Sequence, residues 1–381
     1  MTALTVAAYN VGFGDAILVA VPERTRRTTV VRHILIDVGN VLGGDAEVFG
    51  TVMQDVLRRL DGRPIDLYVM THEHMDHVQG LLRAHSGKQR LPAVDYAWLT
   101  GSAHPRYGQR FPEARKQIDL YRAAFDRVRI AAIQRGLLGL TPVRAFLANN
   151  DPRSTGECVA FPRKIACKRT YYVDRSFTPV PGKNHSFRDA RLSIWAPERD
   201  TSVYYGRMRP AAPVLLDRGR RPKRMRAPAG VRQDALDALL TFAGSGLGDN
   251  MLAIDRAANN TSIVLEIEWH GWRLLFSGDA ELRSWRTMDR YRQLRPVHFL
   301  KVGHHASHNG TPPEVLLDKV LPRAPKDKRP RYALVSTCAG TYAGVPDDAT
   351  ISRIRDRVDC IYLTSDVPVG QAVEIPFEDP R

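Results

Sequence analysis

Residues 65–82, IDLYVMTHEHMDHVQGLL, constrain the fold and the chemistry of this chain more than any other segment. The apolar run at 65–70 predicts a buried strand, and the apolar periodicity after position 77 predicts a helix. The loop between them holds His72, His74, Asp76 and His77. Three imidazoles and a carboxylate within six residues are a mixed nitrogen and oxygen set suited to zinc, manganese or iron. We therefore expect a strand, a metal-binding loop and a helix.

The spacing of these side chains predicts two cations. In an extended loop, residues two apart point the same way, so His72 and His74 are expected to hold one ion. Asp76 and His77, at the start of the helix, then face a second ion. A His-rich surface turn is the alternative interpretation, but the flanking residues fit a strand and a helix.

Other acidic or histidine residues also follow predicted strands. Asp37 ends one strand, Asp279 follows a hairpin over 259–276, and His304 and His305 follow a short strand. In an α/β pattern such strand ends meet at one edge of the sheets. Ligands without thiolates favour a catalytic site with open positions, because structural zinc sites usually use cysteine. Two cations bridged by a carboxylate such as that of Asp279 are suited to hydrolysis of a phosphate ester.

One region carries the whole excess of positive charge. Residues 101–256 contain 29 Lys and Arg against 14 Asp and Glu, whereas the rest of the chain holds 27 of each. A localised basic surface suggests a polyanionic partner, with nucleic acid as the first candidate. A merely solvated basic region stays open, since 46 arginines against 10 lysines also fit a GC-rich genome. Candidate base-stacking aromatics in this region, each also explicable by packing, are Tyr171, Tyr172, Phe177, Tyr204 and Tyr205.

The order of patterns divides the chain into three parts. Residues 1–100 are predicted as the first half of a core, and 259–381 as its second half. Residues 101–258 are predicted as a basic insertion with one core strand at 190–196. Within the insertion we expect a helix over 111–140, irregular structure over 141–182 and a mobile basic loop over 217–229.

The compartment is predicted from what the sequence lacks. No apolar run approaches the roughly 18 residues of a membrane span, and the first segment has no basic leader, so we expect a soluble cytoplasmic protein. The four cysteines are scattered. We interpret them as reduced thiols, with a structural zinc half-site at Cys158 and Cys167 as the alternative.

Six segments occur in an order that is familiar from one superfamily: NVGFGDAILV, ILIDVGN, DLYVMTHEHMDHVQGL, NNTSIVLEIEWHGWRLLFSGDAE, LKVGHHASHNGT and ALVST. On these segments the chain resembles the metallo-β-lactamase-fold hydrolases, and more closely the nuclease-like domain of the competence channel ComEC. They cover most of residues 5–100 and 259–366. The resemblance implies an α/β fold, a four-layer αβ/βα sandwich with the site at the edge of its two sheets. It also implies two divalent ions, Zn or Mn.

The resemblance implies a role for each matching residue. The implied metal ligands are His72 and His74 for the first ion, Asp76 and His77 for the second, Asp279 as the bridging carboxylate, and His304 as the last ligand. His305 either replaces His304 as ligand or protonates a leaving group, and we favour His304 as the ligand. Asp76 is also implied as the general base that holds the attacking water. Asp37 is implied as a supporting carboxylate that orients a ligand.

The chain departs from the superfamily pattern at two places. A third histidine of the first site is replaced by Asn259, Asn260 and Thr261. Because an amide is a weaker zinc ligand, we expect unequal metal affinities and a supporting role for Asn260. The second departure is architectural. ComEC carries this domain beside a membrane channel, whereas no membrane segment is predicted in this chain, so a role in DNA uptake is not implied.

Three further residues are weaker candidates. His185 is the alternative third ligand, although a substrate-facing or surface position is the preferred interpretation. Ser307 and His308 are candidate phosphate contacts, with a loop turn as the equal alternative.

The leading functional prediction is a metal-dependent phosphodiesterase, in particular a nuclease acting on DNA or RNA through the basic insertion. The alternative is a hydrolase of a small molecule, such as a nucleotide, phosphoester, lactone or β-lactam, with the insertion as a lid. A nuclease predicts a basic groove continuous with residues 72–77, whereas a small-molecule enzyme predicts a closed pocket. A binding module without activity and an iron-dependent oxidoreductase are further alternatives. The protein partner is not predicted.

Overall fold

Two mixed β-sheets form the centre of the computed structural model of this chain, which describes residues 3–25, 28–41, 46–134, 136–205, 247–308, 310–338 and 345–379. The first sheet has the order β13-β1-β2-β3-β4-β5-β6. Its strands are β1 (Leu4–Tyr9), β2 (Ala16–Arg24), β3 (Thr29–Val38), β4 (Ile65–Met70), β5 (Val94–Thr100), β6 (Ala166–Val173) and β13 (Ala372–Phe377). Strands β3 to β6 are parallel, whereas β13, β1, β2 and β3 pair antiparallel.

The second sheet has the order β12-β11-β10-β9-β8-β7. Its strands are β7 (Ala190–Ala196), β8 (Val264–Trp269), β9 (Trp272–Phe276), β10 (Phe299–Lys301), β11 (Tyr332–Val335) and β12 (Cys360–Leu363). Strands β9 to β12 are parallel, and β7, β8 and β9 pair antiparallel. The carboxyl ends of the parallel strands in each sheet therefore lie at one edge of that sheet.

Helices pack on the outer face of each sheet. The helices of the first face are α1 (Ala46–Leu60), α2 (Met75–Ser86) and α6 (Pro152–Ile165), and those of the second face are α8 (Leu282–Arg290), α9 (Glu314–Val320) and α10 (Asp348–Arg355). This arrangement confirms the predicted α/β sandwich of two sheets flanked by helices. None of the helices within the described ranges is both long and apolar enough to cross a bilayer.

Strand β4 shows why the central run is apolar at every position except Asp66. Leu67 and Val69 face the core between the two sheets, whereas Tyr68 and Met70 face the helices outside the first sheet. A strand that is covered on both faces needs apolar side chains at both odd and even positions, so its sequence is a nearly continuous apolar run. The same strand thereby delivers the loop that follows Met70 to the edge of the sandwich.

Part of the basic insertion forms a separate helical layer, and part of it contributes strands to the two sheets. Helices α3 (Tyr107–Arg110), α4 (Pro112–Gln134), α5 (Thr141–Asn149) and α7 (Leu247–Asn259) lie within it. A small apolar cluster with Phe125 and Phe146 joins α4, α5 and α7. The predicted core strand at 190–196 is confirmed as β7, which pairs with β8. The basic loop predicted over 217–229 lies outside the described residues.

The expectation of irregular structure over 141–182 is wrong for most of that range, because α5, α6 and β6 occupy it. Pro152 does not break a helix but begins one, since proline fits the first helical turn where no backbone donor is needed. Asp151 caps that helix by accepting the N–H of Arg153 at 3.0 Å. Strand β6 extends the first sheet beyond β5.

Candidate metal centre

The loop between β4 and α2 brings its predicted ligands into the interior. The side chains of His72, His74, Asp76 and His77 are all buried. The first N–H groups of a helix have no partner within the helix, and here Asn149 of α5 accepts the N–H of Asp76 at 3.0 Å. The insertion therefore contributes directly to the position of a predicted ligand.

Two glycines let neighbouring loops approach this helix start. A Cβ on Gly14 would lie 2.1 Å from the carbonyl oxygen of Gly39, and a Cβ on Gly39 would lie 2.4 Å from the backbone nitrogen of His77. The N–H of Asp15 then donates to the carbonyl of Asp76 at 2.9 Å. The glycines of the GFGD and DVGN segments are explained by this close packing of backbones.

Asp37 supports the loop from the end of β3. It accepts the backbone N–H of Thr71 at 2.7 Å, the hydroxyl of Thr71 at 2.6 Å and the Nδ1 of His77 at 2.8 Å. A carboxylate on one ring nitrogen fixes the tautomer and turns the other nitrogen toward the site. The contacts of Asp37 therefore match the supporting role that was predicted for it.

The candidate ligands of the second predicted ion, which we call the second group, come from both halves of the core. This group contains Asp76, His77, Asp279 and His305, which together offer one ligand atom each within 4.8 Å of one another. Nε2 of His305 lies 3.3 Å from Asp76 and 3.6 Å from Asp279, and its Nδ1 donates to the carbonyl of Ser336 at 2.8 Å. Nε2 of His77 lies 3.3 Å from Oδ2 of Asp279.

The first group consists of His72, His74 and Asp76. Nε2 of His72 lies 3.1 Å from Nδ1 of His74. Two atoms bound to one tetrahedral zinc at about 2.0–2.1 Å are roughly 3.3 Å apart, so these spacings fit a shared ion. Asp76 is the residue common to both groups, whereas Asp279, the implied bridging carboxylate, belongs to the second group alone.

Unpartnered polar atoms mark the centre as a place for cations. Nε2 of His74, Oδ1 of Asp76, Nε2 of His77 and Oδ2 of Asp279 are buried and make no hydrogen bond among the described residues, although the last two atoms lie 3.3 Å apart. On His74 the unpartnered atom is the ring nitrogen other than the one next to His72. Leaving one such atom unsatisfied costs about 1–3 kcal/mol. All four atoms belong to predicted ligands, so the donor set fits divalent metal ions.

The charges of the centre are strongly coupled. Burial lowers the pKa of His72 well below its usual value, and the neighbouring imidazoles of His77 and His74 lower it further. Burial would also lower the pKa of His77, but Asp279 and Asp76 outweigh it and hold that pKa well above its ordinary value. His72 is therefore a neutral imidazole, the form that binds a metal.

Asp279 has the opposite environment. Burial would raise its pKa, but His77, Lys301 and His305 outweigh that effect and hold the pKa well below the usual range. Asp279 is consequently a carboxylate with its negative charge intact.

Sequence reasoning missed two residues of this centre, Asp15 and Lys301. The fully buried ammonium of Lys301 contacts Asp15 and lies 3.3 Å from Asp279, and it donates to the carbonyl of Gly278 at 3.2 Å. Asp15 also accepts the hydroxyl of Ser336. A lysine inside an otherwise apolar strand was the available signal, because a buried lysine is rare unless it is paired.

The preference for His304 over His305 is corrected by the position of the two rings. The backbone at both residues is left-handed, with φ values of +50° and +53°. The ring of His305 lies in the centre, while the ring of His304 lies 3.5 Å from Glu281 and 3.6 Å from Asp255. Only the backbone N–H of His304 reaches Asp279, at 3.0 Å.

The expected role of Asn260 is also corrected. Its Oδ1 accepts the hydroxyl of Ser284 at 2.8 Å and the N–H of Ser284 at 3.1 Å, and its Nδ2 donates to the carbonyl of Arg256 at 2.7 Å. The side chain thus ties the end of α7 to the start of α8 and does not contact the ligand groups.

His185 is not a third ligand. Its Nδ1 accepts the N–H of Phe187 at 3.2 Å, and its ring lies 5.8 Å from that of Trp98 in an edge-to-face arrangement. Burial lowers its pKa to about 4. None of its contacts among the described residues reaches His72 or His74.

The two candidate phosphate contacts differ in environment. The hydroxyl of Ser307 lies 2.8 Å from Nδ1 of His304 and accepts the N–H of Gly310 at 3.3 Å, which is the geometry of the turn alternative. His308 is exposed.

The cysteines and aromatics of the insertion can also be placed. No cluster of metal-ligand side chains within the described ranges includes a cysteine. Phe177 packs edge-on against Trp98, Tyr171 donates to the carbonyl of Lys183, and Tyr204 is buried. Tyr172 lies against His104, and Tyr205 lines the cavity described next.

A cavity of about 330 Å³ lies beside the centre. Its walls include Glu73 and His74 of the metal-binding loop, and Arg115, Arg122 and Arg163 of the insertion. Burial raises the pKa of Glu73 against the opposing charges of Arg122 and Arg163. The arrangement offers a cationic wall next to a predicted metal ligand.

Two comparisons with known protein sequences bear on the identity of the chain. No model of a known protein family matches the chain, and no curated protein sequence matches it. The function must therefore be argued from the centre and the cavity themselves.

Proposed function

We propose that the protein is a metal-dependent hydrolase of phosphodiesters with a metallo-β-lactamase-like fold, and that its substrate is DNA or RNA. The observation that carries this proposal is the convergence of buried imidazoles and carboxylates with four unpartnered ligand atoms. Zinc and manganese both accept such a nitrogen and oxygen set.

The residues that would hold the ions follow from the two groups. His72, His74 and Asp76 would hold one ion, and Asp76, His77, Asp279 and His305 would hold the other. Two such ions supply Lewis acidity for attack by water and stabilise the charge of a displaced phosphate ester.

The chain's own residues would orient and protect the reacting groups. Asp37 holds the ring of His77, and the carbonyl of Ser336 holds the ring of His305. Asp76, a carboxylate shared by both groups, is the candidate general base for the attacking water. Burial of all these side chains limits competing solvent and strengthens their electrostatic interactions.

The charge of the insertion supports an anionic substrate. Arg115, Arg122 and Arg163 are among the residues that line the cavity beside His74. Asp119 pairs with the first two, at 2.7 Å and 3.7 Å, and offsets part of their charge. Arginine binds phosphate oxygens through a planar set of donors. A phosphodiester drawn to this wall would lie next to the first ligand group.

A second candidate is a phosphodiesterase acting on a small nucleotide. It is favoured by the size of the same cavity, about 330 Å³, which falls in the range of small-molecule sites. In this case the insertion forms the lid of a pocket, and a polymer would not be cleaved.

The test is an assay of metal-stripped protein refilled with Zn²⁺ or Mn²⁺. The substrates are bis(p-nitrophenyl) phosphate, cyclic and linear nucleotides, and labelled single- and double-stranded DNA and RNA. We expect metal-restored hydrolysis, and a loss of about 10³-fold in Asp76→Asn. The matched control is Asp126→Asn, because Asp126 is an exposed aspartate of α4 outside every ligand group.

Each outcome has a consequence. Cleavage of the polymers supports the nuclease, and cleavage of nucleotides alone supports the second candidate. If the refilled wild type leaves every substrate intact, the hydrolase proposal is wrong.

A further inference from the structure

A second cluster of potential ligands lies where the insertion meets the core. Asp255 and Asn259 come from α7, Glu281 precedes α8, and His304 follows β10. Nε2 of His304 lies 3.6 Å from Oδ2 of Asp255, and Nδ1 of His304 lies 3.5 Å from Oε1 of Glu281. The cluster shares no side chain with the two ligand groups described above.

The side chain of Asn259 is directed into this cluster. It is fully buried, and its Nδ2 donates to Asp255 at 3.2 Å and to Glu281 at 3.0 Å and lies 3.3 Å from Nε2 of His304. Its Oδ1 has no hydrogen-bond partner among the described residues. The two ends of a carboxamide have the same shape, so a half-turn about χ2 places Oδ1 where Nδ2 lies. Asn259 would then present a carbonyl oxygen to the other three residues.

The hydrogen bonds of His304 leave one ring nitrogen for a cation. Nδ1 lies 2.8 Å from the hydroxyl of Ser307. A ligand histidine characteristically donates from one ring nitrogen and binds the metal through the other. Nε2 of His304 is the nitrogen that faces Asp255 and Asn259.

The cluster is also deficient in positive charge. Two carboxylates meet a single imidazole, and the half-exposed Arg256 comes no closer to Glu281 than 3.9 Å. Asn150 donates to Oδ1 of Asp255 at 3.3 Å, which leaves Oδ2 directed at the cluster. A divalent cation would balance these charges and take up the free lone pairs.

We propose that Asp255, Asn259, Glu281 and His304 bind a third divalent cation, which fastens the last helix of the insertion to the second half of the core. One imidazole with three oxygens is a donor set for manganese or zinc. The inference goes beyond hydrolysis, since it concerns binding and the attachment of α7. It therefore stands or falls independently of the proposed activity.

The first test counts metal ions. Metal-stripped protein is dialysed against Mn²⁺, and bound manganese is measured by mass spectrometry and by titration calorimetry. We expect three ions in the wild type and in the control Asp126→Asn, and two in the double variant Asp255→Asn with Glu281→Gln. Equal counts in the wild type and the double variant would overturn the proposal, provided that circular dichroism shows both to be folded.

A second variant tests the same site by strengthening it. Asn259→Asp replaces a neutral oxygen by a charged one, so we expect the third ion to bind about tenfold more tightly. If Asn259 acts only as a donor to two carboxylates, the variant repels them and gains no affinity. That result would contradict the proposal even if the double variant failed to fold.

A third measurement tests the attachment of the helix. We expect Mn²⁺ to slow amide hydrogen exchange over residues 247–259 in the wild type and not in the double variant. The measurement requires no substrate, so an inactive protein would refute the hydrolase proposal and leave this one standing. Exchange that is unaffected by Mn²⁺ in the wild type would refute the attachment.

Discussion

The two histidine-bearing loops of this protein position their side chains with different backbone conformations. The loop over 71–77 follows β4 and the loop over 302–308 follows β10, both at the carboxyl ends of parallel strands. In the first loop, extended residues and the start of a helix place four ligands in one centre. In the second, three consecutive residues, His304, His305 and Ala306, have left-handed backbones with φ of +50°, +53° and +59°.

Residue spacing alone predicts side-chain positions in the first loop but not in the second. In the first loop, side-chain direction follows from the ordinary alternation of an extended chain. The second loop is left-handed, so the rule of alternation does not tell which of its two adjacent imidazoles enters the centre, and the two rings lie in different clusters. Left-handed backbone costs a residue other than glycine about 1–2 kcal/mol, and such strain is found mainly where a site requires it.

The largest difference in hydrolysis rate is expected between variants of the two adjacent histidines. His305→Asn should reduce metal-dependent phosphodiester hydrolysis by about 10³-fold, because Nε2 of His305 faces Asp76 and Asp279. His304→Asn should reduce it by about tenfold or less. Asparagine tolerates the left-handed backbone, so both variants keep the loop geometry. Initial rates measure the two effects, and the reverse order of losses would show that the ring positions do not report the roles.

An intermediate effect is expected at the residues that orient each loop. Asp37→Asn replaces an acceptor of two donors from Thr71 and one from His77, so metal affinity should fall by about 10- to 100-fold. Ser307→Ala should leave the affinity of the buried centre unchanged, because Ser307 contacts His304. Titration calorimetry with Zn²⁺ measures both. Equal losses in the two variants would remove the distinction between the loops.

The smallest effect concerns the strain itself. Ala306→Gly loses a buried methyl group but relieves a left-handed alanine, so the free energy of unfolding should change by no more than about 0.5 kcal/mol. Ala84→Gly, the matched change inside α2, should lower it by about 2 kcal/mol, because it removes a buried methyl group and weakens a helix. Urea denaturation compares the two. A loss at Ala306 as large as that at Ala84 would show that the second loop is not strained.

Much of the fold could be predicted because its signals are local. The apolar run of β4, the helix after His77 and the return strand at 190–196 are readable from periodicity and length. Strand β6 could not be read, because exposed lysine and arginine side chains and nearby prolines conceal an edge strand. Its pairing with β5 depends on the rest of the sheet.

The site was predictable only where the backbone is ordinary. Spacing identified His72, His74, Asp76 and His77 because an extended chain fixes which side chains converge. The choice between two adjacent histidines depends on dihedral angles that no spacing encodes. Asp255 and Glu281 could not be predicted either, since Asp255 lies in α7 and Glu281 just before α8, two segments that approach each other only in the folded chain.

The buried ammonium of Lys301 lies between Asp15 and Asp279 and reduces the need for metal during folding. Removing one partner from a buried ion pair costs about 3–5 kcal/mol. A chain that buried these carboxylates without any counter-charge before metal bound would therefore be much less stable. This chain carries its own counter-charge into the interior. We therefore expect the chain to fold before it binds metal, unlike zinc fingers, which stay unfolded until metal binds. The cellular supply of metal would decide which ions are carried, while the existence of the folded molecule would not depend on it.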